Sequence, residues 1–168
     1  MAQGLAVFML AAGGVFMDLR SDKVSNPWIV QGYLLGILWQ IWLFGARGLA
    51  DFLTGALLPL ALLFPLFYLR MLGAGDLKLL SVIGGFLGPL QVLCCMKYVF
   101  FCGAVLALAL LMARRNLGGR LHYFSLYLWK FIQTGEVLPY GEKGRRPENF
   151  HFTVPILLGV LCWLGGFR

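Results

Sequence analysis

The sequence predicts an all-α polytopic membrane protein, a single bundle of six transmembrane helices. Three observations lead there. Hydrophobic residues make up 60% of the 168 and charged residues only 12%, about half the charge of an ordinary soluble domain. The apolar residues fall into runs close to membrane-spanning length, most of them free of formal charge. Basic residues collect between the runs, with eleven of the fourteen Lys and Arg in every second connection. In such a chain the net charge of +7 marks cytoplasmic loops rather than a nucleic-acid face.

Residues 2–17 form the first span, short but uncharged; no Lys or Arg precedes it, so no cleavable signal peptide is expected. A polar loop follows, Asp18-Leu-Arg-Ser-Asp-Lys-Val-Ser-Asn26, closed by Pro27. Residues 28–44 are the second span, with Trp28, Trp39 and Trp42 suited to interface or packing positions, and Arg47 falls in a short turn. Asp51 reads as the cap of the third span, residues 52–69. Pro59 and Pro65 should kink that span, which neighbouring helices tolerate.

Next comes Arg70-Met-Leu-Gly-Ala-Gly-Asp-Leu-Lys-Leu-Leu80. Gly88-Pro89 reads as the turn between a short fourth span, 76–88, and a fifth, 90–113; the alternative is one span over 79–96 ending at Lys97. On the first division Lys97 snorkels to the outer interface. Residues 114–151 are the one long polar segment, and within it 121–132 mixes aromatics and Leu with Arg120, His122 and Lys130 nearby. That mixture suits a helix lying among lipid headgroups. Residues 152–167 are the sixth span, with Pro155 tolerated in its first turn.

The loops after spans one, three and five carry the positive charge, so they belong in the cytoplasm and both termini outside. By the same parity Asp18, at the inner end of span one, and Asp76, at the inner start of span four, emerge at one membrane face. A carboxylate in or beside a bilayer costs a few kcal/mol on insertion scales, about 10 or more in some simulations, and is normally bundle-facing and functional. The bland reading of Asp76 is a helix cap. Gly73 and Gly75 remove side chains so that another backbone can approach, and they permit φ > 0 at a sharp bend into the helix. Asp22, four residues deeper in the polar loop, reads as solvated. Cys94, Cys95, Cys102 and Cys162 lie in apolar runs without metal-ligand spacing and read as small apolar residues, with no disulfide framework. His122 and His151 read as surface or interface histidines. No cofactor or metal is expected.

Two carboxylates within about 5 Å in a low-dielectric site share a proton and titrate as a pair. The charged member can take a proton from water attacking a peptide carbonyl, and the protonated member can donate to the carbonyl oxygen and then to the leaving amine.

Gly73-Ala74-Gly75-Asp76-Leu77-Lys78 resembles the GxGD-x-K signature of the type IV prepilin peptidases, intramembrane aspartic peptidases of the GxGD type. The first loop is similar to that family's other site: an aspartate, six residues later an Ile, Leu or Val, then usually Pro, then Asn or Asp. Asp18, Val24 and Asn26 fall in register, and Ser25 stands where Pro is usual. The resemblance covers roughly residues 1–113 plus the last helix. It implies one membrane peptidase domain over 1–168 that cleaves the leader of prepilin-like proteins after a glycine, at the cytoplasmic face of the inner membrane. Asp18 and Asp76 carry over as the catalytic pair, Gly73 and Gly75 as the loop shaping the cleft, Lys78 as a nearby charge tuning Asp76, and Asn26 as a supporting residue. The implied partners are a prepilin-like substrate, the bilayer and pilus assembly or secretion machinery, with no nucleic acid. The N-terminal segment with two C-x-x-C pairs found in bifunctional members has no counterpart here, so peptidase activity without methyltransferase is expected, as in the short form serving Tad/Flp-type pili.

Two rivals remain. A proton-coupled transporter or channel subunit would also carry intramembrane aspartates, but more often with an inverted repeat and charges near mid-bilayer. A structural scaffold would use the aspartates as caps and the glycines for close helix packing.

Overall fold

The structure, a computed structural model, describes residues 2–69, 71–113 and 151–166 together with positions 125, 126, 129 and 133. Its helices in chain order are α1 (Ala2–Ser21), α2 (Asn26–Tyr68), α3 (Ala74–Leu87), α4 (Pro89–Ala113) and α5 (Thr153–Leu164). No strand occurs among the described residues. By length and composition α1, α2 and α4 can cross a membrane, whereas α3 and α5 have 14 and 12 residues. The polar segment 114–151, with the surface helix expected over 121–132, lies almost wholly outside the described residues.

The expected second and third spans are the two arms of α2. One residue inside its 43, Gly45, leaves the helical region, at φ 60° and ψ −140°. A side chain is strained there, so glycine takes the bend. The arms fold back on each other, with the Tyr33 and Phe52 rings 6.2 Å apart. The helix resumes immediately, which corrects two expectations: Arg47 is helical rather than in a turn, and Asp51 stands exposed inside the second arm instead of capping it. Pro59 and Pro65 lie within that arm without taking the chain out of helical dihedrals.

The short helix α3 is the centre of the bundle. Every residue over 79–88 is buried, and α1, α2, α4 and α5 all pack against it. A helix apolar all round has no solvent face to offer, and enclosure is the arrangement that suits it. At Gly55 and Gly84 the backbones of α2 and α3 meet so closely that a Cβ on either would strike the other's carbonyl. Beside this contact Tyr33 Oη donates to Ser81 Oγ at 2.7 Å, and Ser81 Oγ donates to Ala56 O at 2.8 Å. This chain satisfies the buried hydroxyls and joins both arms of α2 to α3. At the far end Gln40 Nε2 donates to Phe86 O at 2.9 Å, meeting a carbonyl that the last turn of α3 leaves without an intrahelical donor. Gly88, at φ 80°, makes the turn and Pro89 opens α4, as the first division of that region anticipated.

The helix ends sort into two groups. Asp18 of α1, Asn26 of α2, Gly73 before α3 and Phe152 before α5 gather at one end of the bundle. At the other, Gln3 reaches Phe86 O and Gly4 packs on Leu164. The outer surface is apolar: Trp42, Phe101 and Leu90 are 78, 69 and 79% exposed, a surface suited to lipid rather than water.

Candidate active site

Asp18 is placed by the stripe of α1 that the bundle buries. Gly4, Val7, Leu10, Ala11, Gly14 and Val15 are its buried residues. Three and four residues beyond the last two lies Asp18, on the same face. Its side chain is only 13% exposed. A carboxylate here sits at the negative end of the α1 dipole, which disfavours its charge. Two donors compensate. Thr153 Oγ1, fully buried, donates to Asp18 Oδ2 at 2.8 Å, and His151 Nδ1 lies 2.9 Å from the same oxygen. His151 is therefore not the surface residue expected. It also stands with Nε2 3.9 Å from Asp22 Oδ1.

Asp22 is 48% exposed, as the solvated reading expects, and it also lines the same open cleft. It ends α1 in the left-handed region at φ 54°, its N–H bonded to Asp18 O at 2.8 Å. An aspartate tolerates that conformation better than most side chains.

Asp76 is the third residue of α3 after the N-cap Gly73. Its carboxylate accepts from the Gly73 backbone N–H, half of a capping box. The cap reading of Asp76 therefore holds as geometry, and it does not exhaust the residue. Burial pushes its carboxyl up from 3.8 to about 7, and the Asp18 charge adds to this; the Gly73 N–H and His151 pull the other way. Asp76 stands on the polar rim, outside the three helices long enough to span a membrane.

The two glycines differ. Gly73 has φ −72° and ψ 145°, ordinary extended backbone, and neither Gly73 nor Gly75 uses a positive φ. What Gly73 supplies is space, because a Cβ there would lie 2.8 Å from Asp76 Oδ2. A Cβ on Gly75 would meet Val24 at 3.5 Å, an ordinary contact. Lys78, expected to act on Asp76, donates instead to Asn26 Oδ1 at 3.1 Å and so ties α3 to the start of α2. The charges acting on Asp76 come from Asp18 and His151.

All six residues singled out in the sequence (Asp18, Asn26, Gly73, Gly75, Asp76, Lys78) line one open cleft of about 760 Å³. Its remaining wall includes Asp22, Lys23 and Phe152. Two coupled carboxyl groups, one of them holding its proton to near neutrality, are equipped for general acid–base work on a bound amide. Among the described residues no group of three His, Cys, Asp or Glu side chains is arranged to hold a metal ion. The four cysteines are free thiols in α4 and α5.

The sequence profile of the type IV leader peptidase family matches residues 4–108. The chain belongs to that family. It is thus a protease of the leader peptidase kind, and its apolar helices fit a membrane protein. No curated protein and no solved structure gives a significant match. The leader peptidase match contains Asp18 and Asp76 and ends within α4. His151 and Thr153 lie beyond it. Sequence reasoning missed both, although parity brings the start of the last apolar run to the same end as Asp18.

Proposed function

We propose that Asp18 and Asp76 are the catalytic pair of a membrane-embedded aspartic endopeptidase that removes the leader of prepilin-like proteins at the cytoplasmic face of the inner membrane. The observation supporting it most directly is that both carboxyl groups line one open cleft and act on each other electrostatically, in a chain of the leader peptidase family.

Below about pH 7 Asp76 holds a proton and Asp18 acts as the base. Asp18 takes a proton from the attacking water as its oxygen adds to the scissile carbonyl. Asp76 gives its proton to the carbonyl oxygen. Collapse of the tetrahedral intermediate then breaks the C–N bond as Asp18 passes its proton to the leaving amine and a hydroxyl of the intermediate returns one to Asp76, so the pair is restored. The single peptidase domain spans residues 1–168 as six membrane segments, with both termini outside. The substrate presents its leader in the cytoplasm and its hydrophobic helix in the bilayer. Pilus assembly or secretion machinery is the proposed recipient of the product.

The test is cleavage of a co-expressed prepilin-like polypeptide whose leader ends in glycine, followed as a size shift. Asp18→Ala and Asp76→Ala should each fall below about 1% of wild type, the loss expected for a general acid or base. Asp51→Ala, exposed on α2 away from the cleft, should cleave normally. Unimpaired cleavage by either cleft variant would remove that residue from the mechanism.

A further inference from the structure

We propose that His151 and Thr153, at the head of α5, are positioning residues that hold Asp18 Oδ2 so that Oδ1 serves as the water-activating oxygen. This rests on the reading of Asp18 as the catalytic base and adds to it two residues outside the family match.

The geometry is specific. Two side chains from one short stretch converge on a single oxygen, Thr153 Oγ1 at 2.8 Å and His151 Nδ1 at 2.9 Å. An ionised carboxylate can only accept, so the imidazole presents Nδ1–H to it. Thr153 is fully buried, and its hydroxyl is spent on Asp18 rather than on its own helix backbone. Hydrogen bonds to a charged acceptor are among the stronger ones in proteins. They occupy Oδ2 and fix the carboxylate, which leaves Oδ1 as the oxygen available to take a proton. They also offset the unfavourable placement of Asp18 at the end of α1. Phe152, between the two donors, lines the cleft and packs on Phe100 of α4 with ring centroids 6.0 Å apart. That contact anchors the stretch, so the donors are held by packing and not by the carboxylate alone.

The full-length protein in detergent, acting on the prepilin-like polypeptide, separates this role from a structural one. Thr153→Val keeps the shape and loses the donor; Thr153→Ser keeps the donor. His151→Ala loses the ring, whereas His151→Asn places an amide N–H near the position of Nδ1. Thr153→Val and His151→Ala should each lower kcat about ten- to a hundred-fold with KM within about two-fold. Thr153→Ser and His151→Asn should recover most of kcat. The inference is overturned if Thr153→Val and His151→Ala keep wild-type kcat, or if their defect lies in KM alone. It is equally overturned if the donor-retaining pair is as impaired as the donor-lacking pair. Asp18→Ala in the same assay distinguishes the two levels. If it is inactive while Thr153→Val and His151→Ala are normal, only the positioning role fails; if it is fully active, the catalytic reading fails first.

Discussion

Asp18 and Asp76 stood out in the sequence because a carboxylate at the edge of an apolar run is expensive to keep, and the structure brings both into one cleft. Residues 133 and 135 positions further along did not stand out, because a histidine at the edge of a basic segment looks like any solvated histidine. Only the folded chain brings His151 and Thr153 to Asp18. The state of Asp76 was equally invisible, since its cause is burial beside a second charge. It has a consequence for pH. The folded protein holds the Asp76 proton up to about 7, against 3.8 for an ordinary carboxyl. A raised folded value means the stabilising contribution is complete below the ordinary carboxyl range and is lost as pH rises toward 7. The groups facing Asp76 are Asp18 and His151, while Lys78 is occupied with Asn26. The melting temperature of the wild type in detergent should therefore fall relative to Asp76→Asn between about pH 4 and 7, then run parallel to it. Cleavage should decline over the upper part of the same interval as the acid loses its proton. Flat difference curves would remove the perturbation.

At the scale of elements, α3 illustrates both success and failure of sequence reasoning. Its start was marked by Gly73 and Gly75, and its end by Gly88-Pro89. The fold-back of α2 was harder. The division into two arms around Arg47 was anticipated, but residues 45–51 include good helix formers, so the break is one glycine at φ 60° rather than a turn. The kinks expected at Pro59 and Pro65 do not take the chain out of helical dihedrals. The GxGD stretch also reads as if both glycines did one job, and the packing divides them. Gly73→Ala puts a methyl 2.8 Å from Asp76 Oδ2, displacing the carboxylate from the Gly73 N–H. Gly75→Ala puts one at 3.5 Å from Val24, and alanine is the better helix former. Gly73→Ala should lose about ten- to a hundred-fold in cleavage rate, the scale of a misplaced catalytic group. Gly75→Ala should stay within about two-fold of wild type. Equal losses would mean that space at Gly73 is not what the stretch provides.

For the whole molecule, the sorting of helix ends is what makes a cleft from residues spread over 135 positions. Parity anticipated part of it: alternating spans were expected to bring Asp18 and Asp76 to the same end, and the structure adds the start of α5. The hinge at Gly45 and the meeting of Gln3 with Phe86 belong to the other end. Charge gives an expectation for the sides of these ends, because the residues around the cleft include Lys23 and Lys78 and the sequence after α4 runs into the basic segment, while the hinge holds Arg47 alone. By the positive-inside rule the proposed function expects the cleft on the cytoplasmic side. Cysteine labelling can test this. In a full-length chain with Cys94, Cys95, Cys102 and Cys162 replaced by alanine, Lys23→Cys and Arg47→Cys would each be exposed at opposite ends of the bundle. A membrane-impermeant maleimide added to intact cells should modify Arg47→Cys and spare Lys23→Cys until the membrane is opened. The reverse pattern would place the two aspartates on the outer side. A leader that ends in the cytoplasm could not reach them there, and the proposed substrate would have to be abandoned even if the carboxyl pair is catalytic.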